Sequence, residues 1–124
     1  RPELYERDRP LFKKYVPLSK RVAEAGWEPL TGAASDTPSV IVERFGPVTG
    51  PCYLTVYNLG EARQKARLTL EALDVSGACR ELVAGGEVSW KDRKAEIELD
   101  AGDVRLIELK GAASTAALSA PPAR

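Results

Sequence analysis

The sequence predicts a mainly β protein, an antiparallel, Greek-key-like β-sandwich of about seven strands with one N-terminal α-helix. Three observations predict this fold. Apolar and polar residues alternate in several short segments. Clusters rich in glycine, proline and aspartate separate those segments at short, regular spacing. Helical periodicity is confined to one stretch near the N-terminus, and 124 residues suffice for a single hydrophobic core.

The N-terminal helix is predicted from an apolar stripe between Asp8, which can cap it, and Gly26, which can end it. Pro17 removes a backbone N–H donor, so a kink or break is expected there. A helix with so wide an apolar face must pack on another surface. The residues expected at that domain interface are Leu11, Tyr15, Leu18, Val22 and, just past the helix end, Trp27. Trp27 would anchor the helix end against the sheet or against a further domain.

The segment 54–73 gives the clearest strand pattern. Leu54 and Val56 alternate with polar or aromatic neighbours, and a second run alternates apolar with charged or polar residues over eight positions. The turn-forming residues 58–61 lie between the two runs. A hairpin with one apolar and one solvated face is the basic unit of an antiparallel sheet.

Five further strands are predicted on either side of this hairpin, at residues 39–45, 79–83, 87–90, 95–99 and 104–109. In the last of them the apolar residues change from even to odd positions. That change indicates either a β-bulge or a strand buried on both faces.

These patterns divide the chain into four parts. Residues 1–30 form the helix and an extended segment, and residues 31–38 form a linker of turn residues. Residues 39–110 form the sandwich, and residues 111–124, which are small and without periodicity, form a disordered tail.

The composition argues against several classes of function. Lysine and arginine number 18, as do aspartate and glutamate, so no basic excess points to nucleic acid or to an anionic membrane as a partner. The chain has no histidine, the commonest general base and metal ligand. No apolar run approaches the roughly 20 residues of a membrane span. We therefore expect no cofactor and no metal.

The two cysteines, Cys52 and Cys79, leave two alternatives open. They form a disulfide if their strands are neighbours with suitable Cα spacing. Otherwise each is a buried free thiol that packs as a small hydrophobic side chain.

No catalytic residue is predicted. Glu96 and Glu98 alternate with apolar residues, which is typical of a solvated strand face rather than of a catalytic carboxylate pair. Three aromatic residues, Trp90, Tyr53 and Tyr57, are candidates for a surface that stacks on sugar rings. In the alternative interpretation, Trp90 caps the sandwich and the tyrosines pack against the N-terminal helix.

Two parts of the sequence resemble a known family. The segment YERDRPLFKKYVPLSKRVAEAGWEPLTGA (residues 5–33) resembles the last helix of a (β/α)-barrel glycoside hydrolase and the chain that leaves it. The succession YLTVYNL (53–59), ELVAGGEV (81–88) and IELDAGDVRLIEL (97–109) is similar to the small C-terminal β-sandwich of many such enzymes.

The resemblance implies a non-catalytic C-terminal accessory domain that packs against the catalytic barrel of a larger glycosidase. It also implies that residues 1–30 are the end of that barrel domain. Catalytic carboxylates in such barrels lie at the C-terminal ends of the barrel strands, so none is assigned to this chain. Two alternatives remain. The chain is a carbohydrate-binding module that uses its surface aromatic residues, or it is a protein-interaction sandwich without a connection to sugars.

Overall fold

The computed structural model describes residues 16–29, 31–47, 51–71, 73–75, 77–109 and 113–114. The fold is mainly β with antiparallel sheets, as predicted. The described residues form one helix and eleven strands: α1 (Val16–Ala25), β1 (Trp27–Glu28), β2 (Ala33–Ser35), β3 (Val40–Phe45), β4 (Cys52–Asn58), β5 (Gln64–Leu70), β6 (Leu73–Asp74), β7 (Gly77–Arg80), β8 (Glu87–Trp90), β9 (Lys94–Leu99), β10 (Val104–Leu109) and β11 (Ala113–Ser114).

Helix α1 begins one residue before Pro17. Proline is tolerated in the first turn of a helix because its missing N–H has no intrahelical partner there. The chain before Val16, where a kink or break caused by Pro17 would show, lies outside the described residues. Gly26, at φ 93°, follows the last turn, and its N–H donates to the Val22 carbonyl at 3.1 Å. The predicted start at Asp8 and the interface candidates Leu11 and Tyr15 lie outside the described residues.

Two sheets face each other across the core. Sheet A has the order β1-β3-β4-β10, and sheet B has the order β2-β5-β9. The β7–β8 hairpin joins the free edge of β10 through an antiparallel bridge between Glu81 and Ile107. One hydrophobic cluster fills the space between the sheets, with Leu54 and Leu68 among its fully buried members.

A second cluster lies on the other face of sheet A, where α1 covers it. Val22 of α1 is fully buried with Phe45, Tyr53 and Leu106 of the sheet. Sheet A is therefore the middle of three layers.

The position of sheet A in the middle explains the pattern of β10. Leu106 belongs to the cluster under α1, whereas Ile107 and Leu109 belong to the cluster between the sheets. The register of β10 with β4 runs without interruption from Val104 to Leu109. Of the two predicted alternatives, burial on both faces is correct, and there is no bulge.

The strand count and two predicted boundaries need correction. The seven predicted strands correspond to β3, β4, β5, β7, β8, β9 and β10, and four strands of two or three residues were not predicted. One of them, β2, lies inside the predicted linker and pairs with β5. Another, β11, lies inside the predicted tail and pairs with β6. The remainder of the predicted tail lies outside the described residues.

The β8–β9 turn has an unfavourable backbone. Asp92 and Arg93, with φ of 54° and 64°, both lie in the left-handed region that disfavours side chains with a Cβ. Two-residue hairpin turns of this kind favour Asn-Gly or Asp-Gly. We therefore expect Arg93→Gly to raise the free energy of unfolding by about 1 kcal/mol. Urea unfolding of the two proteins measures the difference, and an unchanged or lower stability contradicts the interpretation.

Candidate functional site

The three aromatic candidates do not form one surface. The Trp90 side chain is 2% exposed and lies in the cluster between the sheets. Tyr53, which is 4% exposed, and Tyr57, which is half-buried, lie on the opposite side of sheet A in the cluster under α1. The proposed three-residue sugar platform is thus not formed, because strand alternation turns Trp90 into the core. The alternative interpretation, with tyrosines packed against the helix, matches these positions.

The cysteines do not form a disulfide. Cys52 and Cys79 are both free and buried. Cys52 pairs with Leu109 of β10, and the bridge between Glu81 and Ile107 places Cys79 beside Leu109 on the other side. The two cysteines are therefore about two strand spacings apart, roughly 10 Å, which exceeds the reach of a disulfide. Burial raises the pKa of the Cys52 thiol, although the nearby Arg44 acts in the opposite direction.

The carboxylates of β9 lie on the outer, solvated face of sheet B. Glu96 pairs with Arg67 at 3.4 Å and with Lys65 at 3.8 Å. Glu98 pairs with Arg63 at 2.6 Å, and Arg63 also binds Asp100. Basic residues in or beside β5 thus pair with acidic residues of β9, which fits the predicted solvated face. Within the described ranges, no group of three or more acidic, cysteine or histidine residues could hold a metal ion.

The ion pairs on this face make the stability of the fold depend on pH. Hydrogen bonding and charge from Arg63 hold the pKa of Glu98 below its ordinary value of 4.5. A lowered folded-state pKa gives stability that is present above the unfolded value and is lost as the pH falls through the folded value. We expect Arg63→Gln to raise the pKa of Glu98 and to remove part of this acid sensitivity. An NMR titration of the Glu98 side chain in both proteins tests this expectation, and identical titration curves contradict it.

Three buried polar side chains, Glu81, Asn58 and Arg44, were not singled out from the sequence. Each is at most 5% exposed. The Glu81 carboxylate accepts backbone N–H groups from the following turn and from β10. Asn58 joins two turns, and the Arg44 guanidinium donates to the Gly46 carbonyl at 2.6 Å. All three therefore have hydrogen-bond partners within the chain.

Of the interface candidates that the structure describes, Trp27 is the one with a large exposed surface. Its side chain is 46% exposed, whereas Val22 is fully buried and Leu18 partly buried against this chain's own sheet. Trp27 pairs with Phe45, which pairs with Tyr53, so the three residues form a row across one end of sheet A. The bond from Gly46 N–H to the Gly26 carbonyl, at 2.7 Å, holds this end of the helix to the sheet.

A groove of about 310 Å³ opens at the same end of sheet A. Tyr53, Ala25 and two prolines give it an apolar base, and two charged residues of α1 line it; the full set is Arg21, Glu24, Ala25, Pro47, Pro51 and Tyr53. The Arg21 guanidinium lies 5.9 Å from the centre of the Tyr53 ring. Trp27 and this groove lie at the same end of sheet A, on the side that α1 covers.

The described residues contain no helix that is long and apolar enough to cross a membrane. The chain matches no protein-family model and no curated protein sequence.

Two solved structures share the fold. One is an α-amylase from Anoxybacillus, with 22% identity and a TM-score of 0.53, described as giving insights into a new glycosyl hydrolase subclass. The other is a variant of AmyP in complex with maltotriose, with 13% identity and a TM-score of 0.57. Each match covers 80% of this chain but only 20% of the solved chain. The fold described here therefore also occurs as a small part of longer glycoside hydrolase chains.

Proposed function

We propose that this chain is the non-catalytic, C-terminal accessory β-sandwich of a larger glycoside hydrolase, and that it packs against the catalytic barrel and stabilises it. The observation that carries the proposal is the shared fold, which takes up most of this chain and a fifth of each glycoside hydrolase chain. The resemblance of residues 5–33 to a terminal barrel helix supports the same arrangement.

The placement of carboxylates supports a non-catalytic role. Glycosidases use two carboxyl groups that face each other across the bound sugar, about 5 to 9.5 Å apart. The side chains of Glu96 and Glu98 extend from the outer face of β9 and form ion pairs with basic neighbours. The buried Glu81 carboxylate is fully used by backbone N–H groups. The 124-residue chain should therefore not hydrolyse aryl-glycosides, and turnover that co-purifies with it at constant specific activity contradicts the proposal.

We assign the surface that faces the barrel to the end of sheet A that carries Trp27. Trp27 is 46% exposed, and tryptophan is enriched among the residues that contribute most to protein interfaces. The opposite face, on sheet B, carries paired charges whose burial would cost desolvation energy. Covering Trp27 would remove roughly 100 Å² of apolar surface from water, a stabilisation of about 2.5 kcal/mol.

The test is Trp27→Ala in the protein that contains both this chain and its barrel. We expect the free energy of unfolding of that protein to fall by about 2 kcal/mol more than that of the isolated chain, because only the exposed half of Trp27 gains cover from the barrel. Leu59→Ala is the matched control, because Leu59 is 63% exposed at the other end of β4. Equal effects of Trp27→Ala in the two proteins contradict the assignment of this surface.

A further inference from the structure

The β8–β9 turn combines features that work against its own stability. Besides the left-handed Asp92 and Arg93, it places Lys91 directly opposite Lys94, with reciprocal backbone bonds of 2.9 and 3.0 Å. Like charges directly opposite each other on neighbouring strands repel. Unfavourable backbone and charge placement concentrated at one position is more frequent at functional sites than elsewhere.

A hollow of about 410 Å³ lies beside this turn. Three basic side chains, one hydroxyl and one carboxylate line it, together with a small apolar residue: Arg67, Lys91, Lys94, Ser89, Glu96 and Ala95. The Glu96 carboxylate is already paired with Arg67 and Lys65. Among the residues that the structure describes, no acidic side chain forms an ion pair with Lys91 or Lys94. The lining thus carries two net positive charges in a chain of zero net charge.

We propose that this hollow binds a phosphate group, either free or as a monoester. Lys91 and Lys94 present two ammonium groups from the two sides of one turn, and a phosphate dianion matches both charges. Arg67 and Ser89, from two other positions of the lining, supply further N–H and O–H donors. A bound dianion would also reduce the repulsion between the two lysines, which would explain why Lys91 lies directly opposite Lys94. This inference does not depend on the proposed accessory role.

The test is an NMR titration of the ¹⁵N-labelled chain with inorganic phosphate at constant ionic strength, with chloride as the competing anion. We expect saturable shifts confined to residues 67 and 89–96 and a dissociation constant in the millimolar range. Lys91→Gln and Lys94→Gln should each weaken binding by at least about threefold. Lys20→Gln is the matched control, because Lys20 is an exposed lysine on α1 and should leave binding unchanged.

A second titration distinguishes the two sources of the phosphate group. Glucose 6-phosphate that binds as tightly as inorganic phosphate indicates recognition of the phosphate alone. Tighter binding of the ester, with no shifts from glucose itself, indicates that a sugar phosphate is the ligand. Shifts that do not saturate, that chloride reproduces, or that persist unchanged in the Lys91→Gln, Lys94→Gln double variant overturn the proposal.

Discussion

Glu81→Ala should lower the free energy of unfolding by about 3 to 5 kcal/mol, because it leaves one buried and two partly buried N–H groups without their acceptor. The Glu81 carboxylate accepts from Val83 at 2.8 Å, from Ala84 at 2.6 Å and from Leu106 at 2.8 Å. It thereby holds the turn after β7 and the edge of β10 with one side chain that is 5% exposed. Hydrogen bonds to a charged acceptor contribute about 1.5 to 3 kcal/mol each and are not additive.

Urea unfolding of Glu81→Ala, with Glu87→Ala as the exposed control on β8, measures this loss. Glu81→Gln should give a smaller loss of about 2 kcal/mol, since the amide keeps one acceptor oxygen and presents an N–H₂ group to at least one donor. A loss below about 1 kcal/mol for Glu81→Ala would show that the carboxylate is not what holds the β7–β8 hairpin to sheet A.

Asn58→Ala should lower the free energy of unfolding by about 3 kcal/mol. Asn58 is 1% exposed at the end of β4. Its Nδ2 group donates to the carbonyls of Ala62, Leu99 and Asp100 at 2.8, 3.2 and 3.3 Å. Its Oδ1 atom accepts the Gly60 N–H at 2.9 Å. One side chain therefore ties the β4–β5 turn to the β9–β10 turn, and so ties sheet A to sheet B.

Asn58→Asp is the sharper variant, because it keeps the shape of the side chain and replaces two donors with an oxygen that faces carbonyl oxygens. We expect it to be at least as destabilising as Asn58→Ala near pH 7. Glu61→Ala, an exposed change in the same turn, is the control for local effects on urea unfolding. If Asn58→Asp retained the stability of the original chain, the donor role of Nδ2 would be refuted.

The longer strands were predictable because apolar and polar side chains alternate over enough positions to show a period of two. The alternation of β5 and β9, with buried residues such as Ala66 and Ile97 between charged ones, is present in the sequence itself. Strands of two or three residues, such as β1 and β6, contain too few positions to show a period. They exist because tertiary packing brings them beside a longer strand.

The polar groups were less predictable, since their roles depend on contacts distant in sequence. Glu81 follows β7, and nothing in the local pattern indicates that its carboxylate reaches the N–H of Leu106. Asn58 was assigned to the turn but is the last residue of β4, and its bond to Leu99, 41 positions away, follows only from the packing of two hairpins. The direction of Trp90 was ambiguous for the same reason, because a four-residue strand does not reveal which face the core will cover.

We propose that this sandwich is a scaffold whose Trp27 surface lies against a catalytic domain. Hydroxyl-radical footprinting with mass spectrometry tests it by comparing oxidation of Trp27 and Leu59 in the isolated chain and in the protein that contains the barrel. We predict that Trp27 oxidises at least about fivefold more slowly in the longer protein, because a buried interface core excludes solvent, and that Leu59 oxidises equally in both. Equal oxidation of Trp27 in the two proteins would contradict the account.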